Sequence, residues 1–268
     1  MPPCTYCKPT PIIPLRHRLQ FAGFRLVAGV VSVLPEPVAL GLGSLLGWIA
    51  GSLLRIRRDV VDRNLARAFP DRPQAWRDRV AVESYRHLVR ESVATLRHSK
   101  LSAGRIREVT EVERYDELLA DLEEGKGAII VSGHLGNWEM GSASGAARGL
   151  PIDAVMHRQR NRRFDEELRR TRGRLGMGII LRDVAPRAVL RSLRANRVVA
   201  LVADQNVSQS GIFVDFFGVP ASTARGPAVF ALRTGAPLWY AWALRVDEGD
   251  VRYRIVLRKL EVEIGDGG

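Results

Sequence analysis

A chain of 268 residues, 46% of them hydrophobic, holds ample material for a core, which excludes a disordered or low-complexity protein. Its formal net charge of +12 comes from arginine rather than lysine, favouring planar anionic partners such as phosphates and carboxylates. The only cysteines, Cys4 and Cys7, sit in one C-x-x-C; they exclude a disulfide framework and fall two ligands short of a usual zinc site, so no metal is expected.

Residues 1–20 read as an N-terminal tail punctuated by Pro2, Pro3, Pro9, Pro11 and Pro14. Between residues 21 and 54 only Arg25 and Glu36 are charged, and Pro35-Glu36-Pro37 divides the stretch into two apolar blocks. The second, residues 38–54, is roughly 25 Å long as a helix, the short limit for crossing a bilayer. Its Gly41, Gly43, Gly47 and Gly51 suit close packing between membrane helices, and Trp48 suits an interface. The competing reading is a glycine-rich core hairpin of a soluble domain. A cleaved signal peptide fits poorly, because prolines fill the preceding segment and no small-residue cleavage pattern follows. Arg55, Arg57, Arg58, Arg63 and Arg67 then form a basic collar of the kind found on the cytoplasmic side. An amphipathic helix over residues 73–100, with Trp76, Val80, Val82, Tyr85, Leu88, Val89, Val93 and Leu96 on its apolar face, completes a membrane-associated helical region over residues 21–100.

From residue 101 to 268 the pattern becomes α/β. Short β-branched runs (VTEV, AIIV, IDAVM, GII, VVALVA, IFVDF and two closing strands) alternate with helices near 115–122, from Asn137, over 161–175, over 186–195 and over 222–234, the last capped by Ser222 or Thr223. Such alternation predicts a mixed, largely parallel central sheet with flanking helices. At least one of Phe216 and Phe217 is expected in the core.

The stretch GAIIVSGHLGNWE carries the chemistry. His134 and Glu139, five residues apart, would point about 140° from each other on one continuous helix. Gly133 and Gly136 instead allow a sharp corner between a strand and a helix opening at Asn137, so that Glu139 can reach back to the imidazole. A carboxylate on one ring nitrogen fixes the tautomer and leaves the other free to take a hydroxyl proton. The helix start, at Gly136 and Asn137, directs N–H groups toward the site and suits an oxyanion or the positioning of one. The plainer alternative is a capped turn histidine with a first-turn acid complementing the helix dipole. Arg158 ends the next strand and stands apart from the arginines of the following charged helix, most of which read as surface. Asp204, Gln205 and Asn206 leave another strand. Ser132 is in no G-x-S-x-G elbow and reads as structural.

Taken in order, RDVVDRNLARAFP, HLGNWE, DQN and the F-G-x-P-A-x-T run at 217–223 resemble the bacterial lipid A biosynthesis acyltransferases, the lauroyl and myristoyl transferase group, whose actinobacterial relatives acylate phosphatidylinositol mannosides. The resemblance spans residues from about 20 to 260. It implies a glycerolipid-acyltransferase-like fold and transfer of a fatty acyl group from an acyl carrier protein or coenzyme A thioester to a glycolipid hydroxyl, without a cofactor. It also implies work at the cytoplasmic face of the inner membrane, among its lipids. His134 and Glu139 match the family's catalytic pair; Arg158, Asn161, Asp204 and Gln205 match positions expected to bind substrate. Such proteins continue past the last strand into a tryptophan-rich C-terminal helix, so an ending at Gly268 reads either as truncation or as a dispensable helix. A glycerophospholipid acyltransferase and a non-catalytic basic membrane-surface protein are the rival readings. Nucleic acid is not an expected partner, since interleaved aromatic and basic residues are missing.

Overall fold

The computed structural model describes residues 14–207 and 211–261. Cys4, Cys7, the prolines before Pro14 and the ending from residue 262 lie outside the described residues. Helix α1, Leu15–Val33, begins inside the expected tail, because Pro14 supplies an extended N-cap; Pro35 does the same for α2, Glu36–Trp48. A π-helical turn, Ile49–Leu53, prolongs α2. The joined segment Glu36–Leu53, 18 residues of mean hydropathy 1.2, is long and apolar enough to cross a membrane by length and composition.

One face of α2 lies on α4, Gln74–His98, and there its glycines have a use. A Cβ at Gly43 would come 3.1 Å from Arg90 Cα, and one at Gly47 only 2.5 Å from the Tyr85 carbonyl oxygen and 2.6 Å from Arg86 Cα. Gly41 faces open space. On the other face Leu42, Leu45, Leu46 and Leu53 are exposed, unlike the buried side chains of a core hairpin. Gly47→Ala must push the helices apart and is expected to lower stability by about 1–3 kcal/mol; a calorimetric melting temperature equal to the parent's would show that this seam yields freely.

The buried residues of α4 are Ala81, Glu91, Val93 and Ala94, while Leu88 is exposed; the seam with α2 runs past Tyr85, Arg86, Arg90 and Val93, against the glycines of α2. Arg58, at the start of α3 (Arg58–Ala68), leaves the expected collar. It is buried, with Nε 2.7 Å from Asp62 and Nη2 2.7 Å from Asp78, whereas Arg55, Arg57, Arg63 and Arg67 are exposed.

After α5, Ala103–Glu108, the α/β part runs β1 Thr110–Val112, α6 Tyr115–Glu123, β2 Ala128–Ser132, α7 Trp138–Ala147, β3 Ile152–Met156, α8 Arg162–Gly173, β4 Gly178–Leu181, α9 Ala185–Arg194 and β5 Val198–Val202. It continues with β6 Ile212–Phe216, β7 Val219–Thr223, α10 Gly226–Thr234, β8 Leu238–Glu248 and β9 Val251–Leu260. Seven strands form one sheet in the order β1-β9-β8-β2-β5-β3-β4, parallel except for the β8–β9 hairpin. The central strands β2 and β5 are short apolar runs because helices cover both faces: Leu118 and Leu122 on one side, Val189, Leu193 and Ala231 on the other.

Two expectations fail at IFVDF and beyond. Strand β6 pairs only with β7, in a separate hairpin whose β6 side is wholly exposed, and Phe216 and Phe217 are 64% and 53% exposed rather than in the core. Ser222 and Thr223 belong to β7 and are not the N-cap of the following helix. The helix starts at Gly226 behind Arg225, with Pro227 in its first turn.

Candidate active site

Neighbouring parallel strands bring the reactive groups together. Strands β2 and β5 pair with Ser132 opposite Val202, so the residues two beyond each, His134 and Asp204, emerge side by side at the carboxyl edge of the sheet. Asp204 Oδ1 lies 2.7 Å from His134 Nδ1, and Oδ2 accepts the His134 backbone N–H at 2.7 Å. One carboxylate therefore holds both the ring and the turn beneath it. With Nδ1–H donated to Asp204, Nε2 is left as a proton acceptor. The imidazole is 38% exposed and meets the Trp138 ring edge-on at 4.8 Å between centroids.

The turn leaves little room at Gly133 and requires glycine at position 136. A Cβ at Gly133 would come 3.0 Å from Asp204 Oδ2. Gly136 has φ +63°, and a Cβ there would fall 2.0 Å from the Ala243 carbonyl oxygen.

Asn137 anchors the start of α7. Its backbone N–H donates to the Ala243 carbonyl at 3.0 Å, and its side-chain oxygen caps the helix by accepting the Met140 N–H at 3.1 Å and also the Thr95 hydroxyl at 3.2 Å. Its amide donates to Glu91 and to the Tyr253 hydroxyl, each at 3.2 Å. Glu91 is buried on α4 and also accepts from Arg245 Nε at 2.7 Å and Tyr253 OH at 2.6 Å. Burial alone would push its carboxyl up; hydrogen bonds from Arg245, Tyr253 and Asn137 outweigh that and hold it below its ordinary value. Asn137 thus positions the turn, and its engaged N–H is not available to an oxyanion. Nearby His98, edge-on to Tyr253, is pushed by burial and then by the Arg245 charge down to about 4.

Glu139, in the first turn of α7, meets a different partner from the one expected. Arg172 of α8 grips it with both arms, Nη2 to Oε1 at 2.5 Å and Nε to Oε2 at 3.3 Å. A hydrogen bond between Glu139 and His134 is not among those of the described residues. Arg172, expected at the surface, has a side chain only 12% exposed. The available signal was position: Arg172 lies two helical turns from buried Asp165, on the same face of α8.

The remaining expected site residues separate. Arg158 follows β3, one strand beyond β5, and its exposed guanidinium makes none of the site's hydrogen bonds. Asn161 is the N-cap of α8, accepting the Arg163 N–H at 3.1 Å and donating to the His17 carbonyl of α1 at 2.9 Å. Both roles are structural. Gln205 is exposed beside Asp204. Ser132 lines an apolar pocket of about 60 Å³ between the sheet and α7, with Ile130, Trp138, Gly145, Ala200 and Ala241 among its walls.

An imidazole with one nitrogen fixed by a carboxylate and the other accessible is equipped to take a proton from a hydroxyl and return it to a leaving group. The apolar pocket beside it suits a hydrocarbon substituent.

Comparison with known proteins points the same way. The family model described as bacterial lipid A biosynthesis acyltransferase matches residues 14–266. A phosphatidylinositol mannoside acyltransferase from Mycolicibacterium smegmatis is 28% identical over 252 residues, covering 87% of this chain and 80% of that protein. The Mycobacterium tuberculosis protein of the same name is 31% identical over 185 residues, 66% of this chain and 58% of its own length. A lipid A biosynthesis palmitoleoyltransferase from Escherichia coli is 27% identical over 209 residues, 76% of this chain and 67% of the relative.

Proposed function

The chain belongs to the bacterial lipid A biosynthesis acyltransferase family, and from that premise we propose that it moves a fatty acyl group from an acyl carrier protein or coenzyme A thioester to a hydroxyl of a glycolipid acceptor, a phosphatidylinositol mannoside or a lipid A precursor. The contact between His134 and Asp204 at the sheet edge carries this reading. His134 Nε2 takes the acceptor proton as its oxygen attacks the thioester carbonyl carbon, and Asp204 stabilises the imidazolium. When the tetrahedral adduct collapses the C–S bond breaks, the imidazolium returns the proton to sulfur, and an ester and a free thiol remain. The pocket lined by Trp138 and Ala200 accepts the first methylenes of the acyl chain, its walls moving to admit the rest.

Glu139 follows Trp138, whose ring meets the imidazole, and holds Arg172 beside the start of α7. Asp204→Asn, which cannot stabilise the imidazolium, is expected to lower kcat about 100-fold or more with little change in KM. Glu139→Gln is expected to cost less. Steady-state kinetics of both variants decide the assignment: a larger loss at Glu139 than at Asp204 would return the role of imidazole partner to Glu139.

Membrane contact is supported by the exposed apolar faces of α1 and α2, with Leu19, Leu26, Val27, Leu42, Leu45 and Leu46 outward. We place the protein at the cytoplasmic face of the inner membrane, where thioester donors are made. Acceptor profiling with a mannosylated phosphatidylinositol, a lipid A precursor and lysophosphatidate tests the acceptor class. Preferential acylation of lysophosphatidate would transfer the assignment to glycerophospholipid synthesis.

A further inference from the structure

A second and larger cavity, about 650 Å³, lies between α1, α4, α7 and α8. Its volume is that of a typical ligand site. Phe24 and Ala28 of α1, Leu96 of α4, and Phe164 and Leu168 of α8 give it an apolar wall, and the Phe164 ring packs edge-on against Phe21 and Phe24 of α1.

The cations around the cavity fall into two groups. Arg25 and Arg170 share Glu167 at 3.6 and 3.8 Å, and Arg172 holds Glu139 at 2.5 Å. Lys100 and Arg174 are different: Lys100 Nζ donates to the Ser32 hydroxyl at 3.0 Å, Arg174 donates to the Ser99 carbonyl, and among the described residues neither lies within 4.0 Å of a carboxylate. Both cations line the chamber, and both are anchored next to one another in the chain, Arg174 on the Ser99 carbonyl and Lys100 at the following residue. On the outer side of α1, Leu26, Val27, Val30 and Val33 are exposed, so the chamber sits beneath a surface suited to hydrocarbon. Charge complementarity calls for an anionic head, and the wall beneath calls for an aliphatic tail.

We propose that this cavity binds an anionic phospholipid, with the head phosphate between Lys100 and Arg174 and an acyl chain along Phe24, Ala28, Leu96, Phe164 and Leu168. The proposal concerns binding and does not depend on the transfer reaction.

Gly29 offers a clean way to close the cavity. It lines the chamber, and a Cβ built on it meets no atom within 4 Å, so a larger side chain leaves the backbone without a clash, and the melting temperature reports how the fold takes the Gly29→Trp ring. Binding is measured by native mass spectrometry on the His134→Ala protein, which holds lipid without turning it over, offering phosphatidylglycerol, phosphatidylcholine or inorganic phosphate alone. Retention of phosphatidylglycerol over phosphatidylcholine by about 10-fold is expected. Lys100→Gln with Arg174→Gln should erase that preference, and Gly29→Trp should remove the lipid adduct while the melting temperature holds. Equal retention of the two lipids, a preference that survives the double substitution, an adduct undiminished by Gly29→Trp, or full displacement of phosphatidylglycerol by inorganic phosphate would each overturn the proposal.

Discussion

His134→Ala is expected to reduce acyl transfer by about 10³-fold or more while leaving the protein folded. The catalytic loss follows from the proposed role of the ring as general base, with Nδ1 held by Asp204 and Nε2 left to take the proton. The stability forecast follows from the contacts. The imidazole is 38% exposed and its hydrogen bond goes to a side chain, Asp204, that is itself 43% exposed. The second bond from Asp204 goes to the backbone N–H of residue 134 and survives the substitution. Turnover and thermal unfolding measured on the same preparation check both halves. Near-parent turnover would end the general-base assignment, and a collapse of the melting temperature would make lost activity uninformative.

The largest effect on stability is expected at Glu91, far from the reacting atoms in sequence but one contact from the turn that carries them. Glu91→Ala leaves Arg245, whose side chain is 4% exposed, without its buried carboxylate, and strips a hydrogen bond from both Tyr253 and Asn137. Breaking one side of a buried ion pair costs about 3–5 kcal/mol, and urea denaturation should show it; a loss under about 1 kcal/mol would mean that Asp247, already 3.0 Å from Arg245, suffices as its partner. Because Asn137 caps α7, activity should fall along with stability. The same cluster sets a pH dependence. His98 resists protonation in the folded protein until about 4, whereas unfolded chain takes the proton near 6.5. The unfolded state therefore binds more protons between those values, and stability declines as pH falls through that window. Glu91, depressed when folded, adds a further loss below its ordinary value of 4.5.

The corner at His134 was legible in one dimension because everything that makes it is local: an apolar run, two glycines, an asparagine cap and a first-turn acid. The alternation of strands and helices was legible for the same reason. The partner of His134 was not, since Asp204 lies 70 residues away and becomes adjacent only because β5 pairs with β2. Sequence placed Asp204 at a strand exit but could not say which strand lay beside it. Arg172 was hidden by composition: on a helix as charged as α8, a buried arginine facing Glu139 looks like any solvated one. Phe216 and Phe217 misled in the opposite sense. An aromatic pair usually signals core, and here it lies on an exposed hairpin against Phe69, whose ring is 5.8 Å from that of Phe217. Asn161 matched a family position, yet its side chain is fully used in capping α8 and tying it to α1.

In the proposed reaction a lipid hydroxyl, deprotonated by His134 with Asp204 behind it, attacks the thioester, so that thiol release and ester formation are coupled. Purified protein, an acyl thioester and a mannosylated glycolipid, followed together by thiol titration and lipid mass spectrometry, test it directly. One thiol released for each acyl chain gained by the glycolipid, with both signals lost in His134→Ala, is the predicted result; thiol release without acylated lipid, or equal acylation by the variant, would contradict it.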